Sequence, residues 1–420
     1  MVNTYLLRMP SRGGSQFTAI DLFSGAGGIS LGLTNAGFDV LFCSDRDSAC
    51  SDTHRRNFPS IPFAEMPVEH LDARQIMSTT GLRKGELDLL IGGPPCQGFS
   101  IIGQRQIWDP RNGLLHDFLR IAKELRPRCV VIENVTGLAT LESGIVLDEI
   151  GRAFREAGYT VECAELLAAQ YGVPQMRWRM FFVGWRFDEN KRGGFPLPTH
   201  GKAGIGDLLP NRSIPAVLTE GFVTIREAIG DLPTIGPGEQ TERYTRMPRG
   251  EFQEAMRAFA PGKLSNHYAP RLSPQNLARI EILSPGEDWR ALPQRLLPPS
   301  MQRALRKDHT RRFRRMKWDG IARAIITRFR DPKSGEYIHP EQHRTISIRE
   351  AARIQSFPDW FVFNGNLGDQ YNQIGNAVPP LLARAVAREL KNMLESGRGA
   401  HQAPVKSRYS IPTEIAFAAE

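Results

Sequence analysis

Cys96 follows a turn that would present its thiol rather than bury it. Residues 87–91 form an apolar run typical of a buried parallel strand, and residues 92–95 then read Gly-Gly-Pro-Pro. In open α/β sheets, ligands bind at the carboxyl ends of the strands, and Pro95 fixes the backbone just before the cysteine. We therefore expect Cys96 to be a nucleophile at a ligand site. A small buried core cysteine is the alternative, and turn residues of this kind disfavour it.

A glycine-rich turn lies upstream, between a predicted strand and a predicted helix. Residues 18–23 predict the strand, Ser-Gly-Ala-Gly-Gly follows at 24–28, and the helix extends to Gly37. Glycines let a ligand approach the backbone, and a helix amino terminus offers free N–H groups. The next predicted strand ends at Asp45, whose carboxylate could bind ribose hydroxyls. The pattern differs from G-x-G-x-x-G, so a purely structural turn is the alternative.

Three further motifs stand at or beside predicted strands and near the end of the chain. Together with the two turns, they resemble the DNA (cytosine-5) methyltransferases in order and spacing, over roughly residues 18–184 and 344–390. These motifs are Glu-Asn-Val at 133–135 after the strand 129–132, Tyr-Gly-Val-Pro-Gln-Met-Arg-Trp-Arg at 171–179 before the strand 180–184, and the returning stretches 344–350, 355–359 and 373–380.

The resemblance implies a fold and a reaction. The fold is α/β, with a doubly wound, mostly parallel sheet of the S-adenosylmethionine-dependent methyltransferase kind and a smaller irregular target-recognition domain. The reaction transfers a methyl group from S-adenosylmethionine to carbon 5 of a cytosine flipped out of duplex DNA. Cys96 would add to carbon 6 of the base and so make carbon 5 nucleophilic. No metal is implied.

Four other residues receive catalytic or DNA-contacting roles from the resemblance. Glu133 would hydrogen-bond or protonate ring nitrogen 3, and burial in an enclosed pocket would raise its pKa, as this role requires. Arg179 would contact the base carbonyl, while Arg177 and Gln175 would organise the site. The alternatives are an exposed loop carboxylate for Glu133 and ordinary polar residues at a strand edge for the other three.

The resemblance also assigns the cofactor site. The glycine turn would hold the methionine portion, and Asp45 the ribose, although the family often has Glu there and Asp reaches less far. Asp72 would receive the adenine amine, and two more residues would line the pocket. The full set is Phe23, Ser24, Gly25, Gly27, Gly28, Asp45, Asp72, Pro94 and Asn376.

The distribution of charge along the chain indicates a nucleic-acid partner. Residues 1–184 carry 18 Lys and Arg against 20 Asp and Glu, whereas residues 185–420 carry 36 against 25, within a net charge of +9. A basic surplus outside the catalytic half favours a polyanion such as double-stranded DNA, with a solvated surface as the alternative. The expected DNA contacts are Gln97, Ser100, Gln175 and a basic cluster, expected to bind mainly phosphates, of Arg303, Arg306, Lys307, Arg311, Arg312, Arg314, Arg315 and Lys317.

The domain organisation follows from the alternation of predicted strands and helices. Strands and helices alternate up to residue 186, with helices predicted near 47–57, 112–126 and 145–157, and this alternation then ends. We expect a catalytic and cofactor-binding domain at 17–186, a target-recognition domain at 187–343, a returning segment at 344–395 ending in a helix from 377 to 394 that packs beside the first helix, and a mobile tail at 396–420. Residues 101–115 are expected to form a mobile lid. Many members of the family have Thr followed by an aliphatic residue just before the returning motif, whereas this chain has Ala324-Ile325, so the family's base contact is not carried over to this position.

The five cysteines show neither a disulfide framework nor zinc-ligand spacing, and no run resembles a signal or a membrane span. We expect a monomeric, cytoplasmic and nucleoid-associated enzyme of the restriction-modification type, with a cognate restriction endonuclease encoded nearby. Two alternatives remain at this stage: a tRNA cytosine-5 methyltransferase and a catalytically inactive DNA-binding regulator. The long basic interval favours duplex DNA over tRNA, and the intact catalytic residues argue against the regulator.

Overall fold

A computed structural model of the chain describes residues 3–10, 16–95, 113–137, 145–201, 220–302 and 312–401. Cys96, Gln97, Ser100, Arg303, Arg306, Lys307 and Arg311 lie outside these residues. The predicted lid at 101–115 also falls outside them, except for its last three residues, which are helical and not part of a loop. The chain divides into two compact units. Unit 1 comprises Met1–Met9, Ala168–Arg177 and Thr219–Leu382, and unit 2 comprises Pro10–Leu167, Trp178–Leu218 and Ala383–Glu420.

Unit 2 contains a seven-stranded sheet in the order β3-β2-β1-β4-β5-β8-β6. All neighbouring pairs are parallel except those that β8 makes with β5 and β6, so the predicted doubly wound, mostly parallel sheet is confirmed. The carboxyl ends of β1, β4 and β5 therefore meet at one edge. The strands are β1 (Phe17–Leu22), β2 (Phe38–Asp45), β3 (Phe63–Glu65), β4 (Leu89–Gly92), β5 (Cys129–Asn134), β6 (Tyr159–Leu167) and β8 (Trp178–Arg186).

Helices pack on the faces of this sheet because each carries an apolar stripe. The buried core joins β1, β4 and β5 to two of these helices through Ile20, Leu90, Phe118, Val130 and Phe154. The three predicted helices are confirmed as the second, fourth and fifth. The helices of this part are α1 (Gly28–Ala36), α2 (Ser48–Asn57), α3 (Ala73–Thr80), α4 (Gly113–Leu125) and α5 (Ile145–Glu156).

The last helix, α12 (Pro380–Glu395), packs beside α1 as predicted, although it begins at a proline three residues after the expected start. Contact is close because Gly32 of α1 has no side chain: a Cβ there would lie 2.5 Å from the Cβ of Ala383. Residues after α12 also pack on unit 2, since the Gly399 N–H donates to the Glu189 carbonyl at 2.9 Å. The part of the predicted tail up to residue 401 is therefore placed, and the remainder lies outside the described residues.

Unit 1 contains short helices, irregular segments and one two-stranded sheet, in agreement with the irregular composition of the sequence. A small apolar core includes Ile280, Trp289, Phe313 and Ile338. The predicted functional division at residues 187 and 344 stays a prediction, since packing does not define what a region binds. The elements are β7 (Gln175–Met176), β9 (Ala322–Arg323), α6 (Ile225–Ile229), α7 (Glu251–Arg257), α8 (Pro274–Ile282), α9 (Pro299–Gln302), α10 (Ile348–Ile354) and α11 (Leu367–Asn376).

Across the residues that the structure describes, no helix is both long and apolar enough to cross a membrane.

Candidate active site at the carboxyl edge of the sheet

The turn that leads to Cys96 lies against the end of the neighbouring strand β5. A Cβ on Gly93 would lie 3.1 Å from Oε2 of Glu133, so a side chain at this position would press on the carboxylate. The Asn134 side-chain amide donates to the Pro94 carbonyl at 3.0 Å and ties the two strand ends together. Pro94 is buried and Pro95 is exposed. Adjacent parallel strands thus bring Gly93 and Pro94 to the same place as the Glu-Asn motif, as expected for a sheet-edge site.

Glu133 is paired with Arg179 at this edge. Nε of Arg179 lies 2.7 Å from Oε1 of Glu133, and the two side chains are only 13% and 11% exposed. Glu133 is at the end of β5 and is buried, which excludes the alternative of an exposed loop carboxylate. Burial lowers the pKa of the Arg179 guanidinium, and the neighbouring Glu133 carboxylate opposes that change.

Arg179 can orient the Glu133 carboxyl group and stabilise negative charge on it. The guanidinium also donates from Nη1 to the Trp178 carbonyl at 2.8 Å, which fixes its plane at the start of β8. The antiparallel orientation of β8 is what places Arg179 there, because its first residues stand beside the last residues of β5: Glu133 pairs with Phe181 and Asn134 with Met180.

The glycine turn after β1 has the strained backbone of a close-approach site. Phe23 adopts φ 56°, a left-handed conformation unusual for an aromatic residue, and Gly25 and Gly27 also have positive φ. A Cβ on Gly27 would lie 2.5 Å from Cε2 of Phe58, whereas one on Gly25 would meet nothing within 4 Å. Gly25 therefore faces open space, and Gly27 packs against the protein. The buried hydroxyl of Ser24 donates to the Ser44 carbonyl at 3.3 Å.

These residues fit S-adenosylmethionine in three respects. The amino terminus of α1 at Gly28 has no side-chain cap, so its N–H groups suit the methionine carboxylate. Gly25 leaves room beside the backbone, and the Asp45 carboxylate, which accepts from the Gly25 N–H at 2.9 Å, stands at the end of β2 where ribose hydroxyls are expected. Burial raises the pKa of Asp45, and hydrogen bonds from the backbone N–H groups of Asp47 and Gly25 oppose this.

The two other residues of the predicted cofactor set have different surroundings. Asp72 is exposed and caps α3, where its Oδ1 accepts from the Arg74 N–H at 2.8 Å. Asn376 is exposed and is the last residue of α11, in unit 1. Their contacts with a cofactor stay predictions.

Gln175 and Arg177 are buried in unit 1 and hold its backbone together. Gln175 is fully buried, donates to the Ile354 carbonyl at 3.2 Å and accepts from the Ile325 N–H at 2.8 Å. Arg177, 2% exposed, donates to the carbonyls of Ile325 and Gly375 at 2.7 and 2.9 Å. A contact of Gln175 with DNA would require this packing to open. The predicted part of both residues in organising the site agrees with this packing but stays a prediction, as does the DNA contact of Gln175.

The members of the basic cluster differ in the exposure and the partners of their side chains. Arg315 is 2% exposed and donates to the carbonyls of Leu283 and Ile280 at 2.6 and 2.7 Å, so we revise its predicted phosphate contact to a structural role. Nε of Arg314 lies 3.3 Å from Oε2 of Glu336. Arg312 is half-buried and Lys317 is exposed. Among the described members of the cluster, Lys317 presents the most accessible charge.

Sequence reasoning missed a buried polar group beneath the glycine turn, formed by Asp21, Ser30 and His54. Each is 0% exposed. The signal was present in Asp21, an acidic residue inside a strand whose other residues, apart from Thr18, are apolar. Within the described parts of the chain, no group of three or more His, Cys, Asp or Glu could hold a metal ion.

Comparisons with known proteins identify the family of the chain. The model of the C-5 cytosine-specific DNA methylases matches residues 17–392. Type II methyltransferase M.AgeI of Thalassovita gelatinovora is 31% identical, over 89% of this chain and 98% of its own. Type II methyltransferase M1.HphI of Haemophilus parahaemolyticus is 36% identical, over 90% and 87%.

Solved structures show the same fold. A DNA modification methyltransferase encoded within an E. coli prophage aligns with a TM-score of 0.67 and 28% identity, over 90% of this chain and 100% of its own. The S. pombe Dnmt2 methyltransferase aligns with a TM-score of 0.52 and 17% identity, over 91% and 99%, and supports the fold alone. With its motifs in order, its sheet edge assembled and a family model matched over most of its length, the chain belongs to the C-5 cytosine-specific DNA methylases.

Proposed function

We propose that this enzyme transfers a methyl group to carbon 5 of a flipped-out cytosine within a specific duplex DNA sequence, through a covalent bond from Cys96 to the base. The observation that carries the proposal is the meeting of two strand ends: Gly93 and Pro94, just before Cys96, lie against Glu133 and Asn134, and Glu133 is paired with Arg179.

The chemistry needs a nucleophile because carbon 5 of cytosine is itself a poor one. The Cys96 thiolate would form a bond to carbon 6, and the electron pair of the 5,6 double bond would move through carbons 5 and 4 toward nitrogen 3, which Glu133 hydrogen-bonds or protonates. Carbon 5 would then bond to the methyl group, whose bond to the donor sulfur breaks with the electron pair left on that sulfur. Loss of the carbon 5 proton to a base would then break the bond between Cys96 and carbon 6 and restore the thiolate. Arg179 orients Glu133 and offers further donors to the base carbonyl.

S-adenosylmethionine is the cofactor of this family, and when bound it supplies an electrophilic methyl group on a sulfonium. We propose that the turn from Phe23 to Gly28 holds its methionine portion, with Asp45 on the ribose and Pro94 along the pocket. By resemblance, Asp72 takes the adenine amine and Asn376 helps to line the pocket. The open space at Gly25 and the uncapped start of α1 support this assignment.

DNA must be deformed for this reaction, because a paired cytosine is inaccessible. Flipping costs a few kcal/mol in unpairing and unstacking, which contacts elsewhere on the duplex must offset. We propose that residues 187–343 read the sequence and that the exposed cations of the basic cluster bind phosphates. We further propose a monomeric cytoplasmic enzyme associated with the nucleoid and accompanied by a restriction endonuclease.

The test is a methylation assay with the purified chain. Labelled S-adenosylmethionine would be supplied with a pool of duplex DNA or with tRNA, and bisulfite sequencing would locate the product. We expect label in cytosine of duplex DNA at one recurrent sequence, lost in Cys96→Ala and retained in Cys163→Ala, a matched change at a cysteine of β6. Label in tRNA but not in DNA, or no label with either, would contradict the proposal and favour the tRNA enzyme or the inactive regulator.

A further inference from the structure

A chain of buried polar groups lies beneath the glycine turn. Oδ2 of Asp21, on β1, accepts a hydrogen bond from the Ser30 hydroxyl at 2.6 Å. The same hydroxyl lies 3.3 Å from Nε2 of His54 and 3.4 Å from Sγ of Cys43. Oδ1 of Asp21 is buried and accepts no hydrogen bond from any residue that the structure describes. Ser30 is therefore the hydrogen-bonding anchor of this carboxylate within the described chain.

The position of this group connects it to the proposed cofactor turn. Asp21 stands two residues before Phe23, and Ser30 is the third residue of α1, so their hydrogen bond joins the two ends of the turn. His54 closes the far side, because a Cβ on Gly27 would lie 3.1 Å from its ring. The Asp21–Ser30 hydrogen bond therefore ties the end of β1 to the first turn of α1.

We propose that Asp21 is a positioning residue for S-adenosylmethionine: through Ser30 it holds the amino terminus of α1 against β1, and its ionised form supports tighter cofactor binding than its protonated form. This inference rests on the proposed function of the glycine turn. An ionised carboxylate accepts a stronger hydrogen bond than a neutral carboxyl group does, so ionisation tightens the anchor.

Ionisation of Asp21 falls in the neutral range. Burial raises the pKa of Asp21 to about 7, and hydrogen bonding from Ser30 opposes the rise. The other titratable groups around it are Cys43 and Asp45 on β2 and His54 on α2. Burial lowers the pKa of His54 to about 3 and raises that of Cys43 well above its ordinary value, so neither changes charge between pH 5.5 and pH 8.5. Asp45 is the competing group, since burial raises its pKa too.

The experiment measures the dissociation constant of S-adenosylmethionine by calorimetry from pH 5.5 to pH 8.5. For the unmodified protein we expect binding to weaken by about fivefold as pH falls, the ratio between a charge-assisted and a neutral hydrogen bond, with a midpoint near 7. Asp21→Asn should bind at every pH with the low-pH affinity. Asp39→Asn, a matched change at the opposite end of β2, should keep the full pH dependence.

Ser30→Ala provides a second variant that does not depend on the folding of Asp21→Asn. Because the Ser30 hydrogen bond stabilises the ionised carboxylate, its removal should weaken binding at pH 8.5 and move the midpoint to higher pH. Persistence of the normal pH dependence in Asp21→Asn, or an unshifted midpoint in Ser30→Ala, would overturn the inference and point to Asp45. Failure of the unmodified protein to bind S-adenosylmethionine at any pH would contradict the proposed function and this inference with it.

Discussion

Glu133 in unit 2 and Glu350 in unit 1 both pair with an arginine, but their surroundings differ. Glu350 is 1% exposed and receives both Nη1 and Nη2 of Arg344 at 2.7 Å, along with the N–H of Ser347 at the start of α10. The Arg344 guanidinium also donates from Nε to the Ile235 carbonyl at 2.9 Å. Glu133 instead stands at a strand end, meets Arg179 through Nε, and retains some exposure on both side chains.

The difference separates structural from chemical use of the same groups. A buried ion pair with its donors and acceptors engaged in the protein fixes a backbone arrangement and has no remaining capacity for a substrate. The same holds for Arg353, which bonds Asp231 and Asp359 within unit 1. The Glu133–Arg179 pair lies instead at the carboxyl edge of a parallel sheet, beside Gly93, where we propose that it meets a reacting base. The position of a Glu–Arg pair in the fold therefore indicates its role better than the residue types do.

The largest effect is expected from Glu133→Gln, which keeps the shape of the side chain but removes its acid-base function. We expect single-turnover methyl transfer to fall by about 10²–10⁴, the usual contribution of a positioned acid or base, with cofactor affinity nearly unchanged. Glu162→Gln on β6 is the matched control and should transfer at the normal rate. An unchanged rate in Glu133→Gln would remove this residue from the mechanism and make its pair with Arg179 structural.

The same substitution at Glu350 should act on folding. Glu350 is buried beside Arg344 and Ser347. Neutralising Glu350 therefore leaves a buried guanidinium without its counter-charge, which costs about 3–5 kcal/mol. We expect a lower urea midpoint and loss of soluble folded protein, measured by circular dichroism. A variant that unfolds at the normal midpoint but transfers methyl groups slowly would reverse the roles assigned to Glu133 and Glu350.

The pH dependence of stability should have opposite signs in the two regions. Burial raises the pKa of Asp21 to about 7, so the folded protein binds a proton that the unfolded chain releases near pH 4. The free energy of unfolding therefore decreases as pH rises from about 4 to 7. At roughly 1.4 kcal/mol per pKa unit, the decrease is up to about 4 kcal/mol. The Arg344 guanidinium and its hydrogen bonds hold the pKa of Glu350 well below its usual value against the opposing effect of burial, so its contribution is lost as pH falls below about 4.

Thermal unfolding from about pH 2.5 to pH 8.5 tests both signs, because the Glu350 contribution is lost only below about pH 4. As pH rises, Asp21→Asn should become more stable relative to the unmodified protein. As pH falls below about 4, Glu350→Gln should lose less free energy of unfolding than the unmodified protein does. Curves that run parallel to that of the unmodified protein would show that neither carboxyl titrates as described.

The smallest effect concerns the basic cluster. Lys317 is exposed, so Lys317→Ala should flatten the slope of log K against log salt by about 0.9 for target and non-target duplexes alike, without altering stability. Lys333→Ala, an exposed lysine elsewhere in unit 1, is the matched control. Arg315→Ala should instead destabilise the protein, because several backbone carbonyls lose their donor. Relaxed discrimination at one base pair in Lys317→Ala would show that this lysine reads sequence.

Much of unit 2 could be predicted from sequence because its patterns are local. The apolar runs, the glycine turn and the three helices each follow from neighbouring residues, and parallel strands ending in motifs predict a shared edge. The partners of Arg177, Gln175 and Arg315 could not be predicted, since their hydrogen bonds go to carbonyls far along the chain. A side chain that donates to backbone has the same sequence signal as one that donates to phosphate. Asp21 was missed because its partner, Ser30, is an unremarked residue inside a helix.

The most direct test of the central claim is to trap the covalent intermediate. DNA carrying 5-fluorocytosine at the target should hold the enzyme, since fluorine at carbon 5 cannot leave as a proton does and the carbon–sulfur bond then persists. We expect an adduct that maps to the peptide containing Cys96 and that does not form in Cys96→Ala. An adduct on Cys43, Cys50, Cys129 or Cys163, all of which are buried, would contradict it, as would the absence of any adduct from an enzyme that methylates unmodified DNA.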